Sequence, residues 1–91
     1  FGDYPYIDGD VADYLTNSNK KGVGLDTIGL DPIADTNLTL HKKLLKDNEI
    51  VIIENLMNLH LLGDELFTFC ALPLKHVDAD GSPIRAIAWV E

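Results

Sequence analysis

Ile50-Val51-Ile52-Ile53 runs straight into Glu54-Asn55-Leu56. Four consecutive apolar β-formers read as a strand buried on both faces. A carboxylate at the end of such a strand constrains everything near it. Glutamate is seldom buried without a partner. A buried carboxylate needs a hydrogen bond, a cation or a metal, or it takes up a proton. His41 lies upstream on a predicted helix, and the rest of the chain reads as a frame around this pair.

Size bounds the frame. The chain has 91 residues, 46% of them hydrophobic, which suits a single small domain with a modest core. The formal net charge is −8, from 15 acids against 7 bases. Many of the acids sit in predicted turns and loops (Asp3, Asp8, Asp10, Asp78, Asp80) and read as solubilising charge. Lys20-Lys21 and Lys42-Lys43 are isolated pairs, not a basic patch, so nucleic acid and anionic membranes are excluded as expected partners. No apolar run approaches the ~20 residues of a membrane helix, and no signal peptide is visible. A cytoplasmic setting is the expectation. Cys70 is the single cysteine, so no intrachain disulfide is possible. It falls in an apolar strand with no flanking base to activate it, and reads as a structural thiol. The chain begins with Phe1 instead of Met, which reads as a processed chain, a proteolytic fragment or a piece of something longer.

Phe1 to Ile7 is aromatic and contains Pro5, an extended lead-in. Asp8 is a predicted N-cap, with Asp10 in the first turn of a helix from Gly9 to Thr16. Val11, Tyr14 and Leu15 share its predicted face, and Asn17-Ser18-Asn19 ends it. Gly22-Val23-Gly24-Leu25-Asp26 reads as a short strand whose glycines serve close backbone packing. A phosphate loop would need them after a strand and opening a helix. Asp31-Pro32 marks a turn. Asp35-Thr36-Asn37 offers caps for a second helix, Leu38 to Lys46, with Leu38, His41 and Leu45 on one face and Lys42, Lys43 and Lys46 outside. Asp47-Asn48 ends it, and the strand to Glu54 follows. Asn55 to Gly63 fits either a helical turn or a packed loop. Leu66 to Leu74 is an apolar strand with Pro73 at an edge or bend. Asp78-Ala79-Asp80-Gly81 is a hairpin signal, and Ile84 to Val90 the returning strand. The order of elements predicts an α/β fold.

An imidazole and a carboxylate on adjacent elements suit a borderline divalent metal such as zinc or manganese. Zinc usually takes three or more protein ligands, so His41 and Glu54 predict an incomplete site. His60 and His76 read as structural or exposed. An EF-hand is excluded around Asp78-Ala79-Asp80-Gly81, because His76 and Ile87 occupy two obligatory acidic positions. Ser82 has no nucleophile-elbow context. Arg85, on the last strand, reads as a structural ion-pair partner.

Taken together, these pieces resemble the C-terminal half of the cyclase, or kynurenine formamidase-like, family of metal-dependent hydrolases. The matching segments come in order: Tyr4-Pro5; Gly22-Val23-Gly24-Leu25-Asp26-Thr27; His41 with Leu44-Leu45; Ile52-Ile53-Glu54-Asn55-Leu56; Phe69 and Ala71-Leu72-Pro73-Leu74-Lys75; and Asp80-Gly81-Ser82-Pro83-Ile84-Arg85-Ala86.

The resemblance implies a swivelling β/β/α fold, a barrel-like sheet flanked by helices, incomplete in this chain. Residues 1–91 would be a single domain or the C-terminal segment of one. It implies hydrolysis of amide or lactam bonds in small molecules such as N-formylkynurenine or isatin, with one or two divalent metals. The family's late histidine and late glutamate, both metal ligands, fall on His41 and Glu54. Its principal signature, His-x-Gly-Thr-His-x-Asp-x-Pro-x-His, is not in these residues. That signature supplies the other ligands and the general base, so no catalytic residue is assigned here, and the chain alone is expected to be inactive. A homo-oligomer is expected, because half a barrel-like sheet leaves strand edges open. The alternative expectation is a truncated, non-catalytic relative acting as an oligomerisation or interaction domain.

Overall fold

The computed structural model describes residues 4–46 and 48–90. Phe1 to Asp3 of the expected lead-in, and Asp47 of the expected helix end, lie outside them. The elements run α1 (Gly9–Asn17), β1 (Gly22–Gly24), α2 (Thr39–Leu45), β2 (Val51–Ile53), a 3-10 turn (Leu59–Leu61), β3 (Thr68–Pro73) and β4 (Ile84–Trp89). The chain divides into two compact units, Phe1–Met57 and Asn58–Glu91. This is a mixed α/β architecture of two helices and two small sheets among the described residues.

In the first unit β1 and β2 pair in parallel, Val23 opposite Ile52. The pairing continues past the strands: the Leu25 amide donates to the Ile53 carbonyl, the Leu56 amide to Leu25, and the Asn55 amide to Thr27, each at 2.9 Å. The glycines of β1 serve close approach, as their positions predict. A Cβ on Gly22 would meet the Val51 carbonyl oxygen at 3.0 Å, and one on Gly24 would meet Leu56 Cδ1 at 2.7 Å. A parallel pair needs a crossover, and α2 lies in it.

Leu15, Leu30, Leu44 and Ile50 form the core, with Ile7, Val23, Leu25, Leu40 and Ile52 packed against it. Three faces differ from expectation. In α1 the buried residues are Ala12 and Leu15, while Val11 and Tyr14 are exposed. In α2 the inward row is Leu44, buried, and Leu40, partly buried and four before it, while both Leu38 and Leu45 face out. The strand ending in Glu54 is not covered on both sides: Ile50, just before it, is the core residue, and Val51 is 57% exposed.

Asp8 caps α1 as predicted, its carboxylate accepting from the Val11 amide at 2.9 Å. An ion pair between Lys43 and Asp13 links α2 to α1 at the surface.

The second unit is a β3–β4 antiparallel ribbon, with Cys70 opposite Ile87 and Leu72 opposite Arg85. The loop between the strands is fastened at its base by Ser82, whose hydroxyl accepts from the Leu74 amide at 3.0 Å. Asn55 to Gly63 resolves into the 3-10 turn, with exposed His60 on it. Cys70 is a free thiol of intermediate burial. Arg85 is exposed and takes part in no ion pair found among the described residues, so its expected structural pairing is not seen.

Candidate functional site

Glu54 follows β2 directly, and Asn55 after it adopts a left-handed conformation at φ 60°. Asparagine tolerates that backbone well. The chain therefore turns away just past Glu54 and leaves its carboxylate at the strand's C-terminal end, where sites in parallel α/β sheets collect.

His41 comes from the first turn of α2, and that turn begins in an unusual way. The residue before it, Leu38, is left-handed at φ 52° and offers no side-chain cap. The open amides of the first turn are taken by two remote aspartates. Asp35 Oδ2 accepts from the Thr39 amide at 3.2 Å. Asp31 Oδ1 accepts from the Leu40 amide at 2.8 Å, and Asp31 Oδ2 from the His41 amide at 2.9 Å. These bonds satisfy donors that every helix start leaves open. They also fix the position of His41.

Asp31 is 2% exposed, the buried charged residue of the described chain. Its Oδ2 lies 2.8 Å from His41 Nδ1, and the Tyr4 hydroxyl donates to its main-chain oxygen at 2.7 Å. On the far side of the ring, His41 Nε2 stands 3.5 Å from Glu54 Oε1. The arrangement is a line: Asp31, imidazole, Glu54. The His41 and Glu54 side chains remain 18% and 29% exposed.

Gly29 forms one wall. A Cβ there would lie 3.2 Å from Glu54 Oε2, 3.7 Å from His41 Cε1 and 3.7 Å from the Tyr4 hydroxyl. The Thr27 hydroxyl donates to the Gly29 carbonyl at 2.8 Å and accepts from its amide at 3.2 Å, which holds this wall in place. A separate cavity lined by Pro5, Tyr6, Ile7, Leu25, Asp26 and Thr27 takes in neither His41 nor Glu54.

The structure thus brings together the two residues that the sequence singled out. No group of three or more His, Cys, Asp or Glu side chains is placed to hold a metal among the described residues. Asp31, Gly29 and Tyr4 were not singled out for the site. Asp31-Pro32 reads locally as a turn, and no local rule assigns its carboxylate to a helix that starts several residues later.

No family model matches the chain. The kynurenine formamidase of Bacillus cereus (strain ATCC 14579) is 37% identical over 83 residues, covering 91% of this chain and 39% of that protein. The kynurenine formamidase of Bacillus mycoides is 36% identical over the same length. A solved structure described as a potential metal-dependent hydrolase with cyclase activity superposes with a TM-score of 0.73 at 31% identity, covering 93% of this chain and 41% of that one. The chain is kynurenine formamidase-like. It spans about two fifths of the length of the kynurenine formamidases it matches. The resemblance expected from the motifs is borne out, and the mixed α/β fold of this formamidase-like chain is similar to part of that solved structure.

Proposed function

We propose that the chain contributes His41 and Glu54 as two ligands of a divalent metal in a formamidase- or cyclase-like hydrolase acting on small-molecule amide or lactam bonds. The observation that carries the reading is the convergence of His41 Nε2 and Glu54 Oε1 at 3.5 Å. That is the outer limit of a side-chain hydrogen bond. It is also close to the edge between two ligands of one tetrahedral ion, roughly 3.4 Å for bonds of about 2.1 Å. An imidazole nitrogen and a carboxylate oxygen are a donor set suited to zinc or manganese. Gly29, with no side chain of its own, lets Glu54 Oε2 and His41 Cε1 come close to its backbone.

A bound ion of this kind supplies an acidified water and a polarised carbonyl. The residues of this chain position it. Asp31 holds the ring of His41, Gly29 leaves Glu54 free of crowding, and Asn55 turns the backbone away. Two ligands leave the coordination shell open, and no group of three or more metal-ligating side chains occurs among the described residues. The wider reading keeps the swivelling barrel-like fold, a cytoplasmic setting and a homo-oligomer. For the last, the exposed Phe69, Leu72, Ile87 and Trp89 of the β3–β4 ribbon give support, since a two-stranded ribbon is marginal by itself.

The test is calorimetric titration of Zn²⁺ or Mn²⁺ into the chain and into Glu54→Ala. Stronger binding to the unsubstituted chain is expected. Equal affinity would remove Glu54 from the site. Turnover of an N-formyl aryl amine by a protein carrying this segment tests the activity.

A further inference from the structure

Asp31 has both carboxylate oxygens engaged by main-chain donors, Leu40 N on Oδ1 and His41 N on Oδ2. Oδ2 is therefore an acceptor where His41 Nδ1 approaches it at 2.8 Å, and the proton on that contact belongs to Nδ1. A neutral imidazole has one N–H. With the proton on Nδ1, the lone pair is on Nε2, the atom that faces Glu54.

We propose that Asp31 is the positioning residue of this site. It holds the His41 proton at Nδ1 and presents the Nε2 lone pair toward Glu54. The proposal deepens the metal-site reading and rests on it in one respect: that lone pair is the one a divalent ion would take. A carboxylate behind a histidine ligand fixes ring orientation and tautomer, and its loss typically weakens metal binding by roughly 10–100-fold. What is particular here is that the carboxylate doing so also starts the helix that carries the histidine. A purely structural role as a helix cap is the competing account.

Asp35 separates the two. It caps the same turn through Thr39 and Asn37, and none of its hydrogen bonds goes to His41. Long-range ¹H–¹⁵N spectra of the ¹⁵N-histidine-labelled chain, above the pH where imidazole is charged, read the tautomer directly. The expected result is the Nδ1–H form for His41, with Nε2 moving on Zn²⁺ addition. Asp31→Ala should shift the population toward the Nε2–H form and weaken Zn²⁺ binding by roughly 10–100-fold. Asp35→Ala should loosen the first turn of α2 and leave the tautomer alone. The proposal is overturned by an Nε2–H form in the unsubstituted chain, by Zn²⁺ bound at Nδ1, or by Asp35→Ala matching Asp31→Ala in both readouts. If Asp31→Ala does not fold, the spectrum of the unsubstituted chain decides. An Nδ1–H form with no Zn²⁺ binding would support Asp31 as the positioning residue and show that His41 and Glu54 do not hold an ion by themselves.

Discussion

Asp31 meets His41 at two points, accepting from its amide at 2.9 Å and from its ring Nδ1 at 2.8 Å. Backbone and side chain of one residue are thus fixed by one carboxylate, itself almost fully out of solvent. Buried carboxylates are costly unless every oxygen is satisfied, and here both oxygens are.

Loss of either candidate ligand should abolish metal retention more completely than loss of Asp31. His41→Ala and Glu54→Ala each remove one of two donors, so each should exceed the roughly 10–100-fold cost of an outer partner. Equilibrium dialysis with Zn²⁺ measures this. Circular dichroism should show the fold kept, since both side chains are partly solvated.

Gly29→Ala should separate site from fold in another way. The added Cβ would lie 3.2 Å from Glu54 Oε2, so the carboxylate must shift by a few tenths of an ångström. Thermal stability should hardly change, whereas Zn²⁺ affinity should fall. An unaltered affinity would mean that Gly29 does not bound the site.

Leu44→Ala should cost about 2–5 kcal/mol, the usual range for a buried leucine. Leu44 is fully buried, and its carbonyl accepts from the Ile50 amide at 2.8 Å at the passage from α2 to β2. Denaturant unfolding gives the loss. Leu45→Ala, one residue on and 48% exposed, should cost far less, which tests the corrected face of α2.

The first turn of α2 should weaken in acid through Asp35. The Thr39 hydroxyl above all holds this carboxyl below its ordinary value of 3.8; desolvation opposes it, and the Thr39 and Asn37 amides and the charge of Lys42 add to the lowering. A group depressed on folding stabilises above its unfolded pKa and loses that contribution as pH falls through the folded one. The contribution should therefore be complete above about 3.8 and vanish below the lowered value. Comparing acid unfolding of the chain with that of Asp35→Ala should show the two curves converging at low pH.

Much of this was legible in the residues because local chemistry carried it. Asp8 caps the helix that follows it, and the glycines of β1 lie where a Cβ would strike Val51 or Leu56. The apolar run into Glu54 marked a strand end, and His41 marked its neighbour. The faces of the helices were harder. In α2, Leu38, His41 and Leu45 fit a helical period as well as Leu40 and Leu44 do. The choice was made by the core of Leu15, Leu30 and Ile50, to which Leu44 belongs and against which Leu40 packs. Asp31 was hidden for the same reason. Capping rules look one to three residues from a helix start, and its amide partners lie nine and ten residues away.

The shared carboxylate also has a kinetic consequence. Helix ends open and close in the native state at small free-energy cost. Each opening of the first turn of α2 would break the Leu40 and His41 amide bonds to Asp31 and release the imidazole in the same event. The opening rate of that turn would then limit the lifetime of a correctly aimed ring. A ligand held by the ring could stay longer only by slowing that opening.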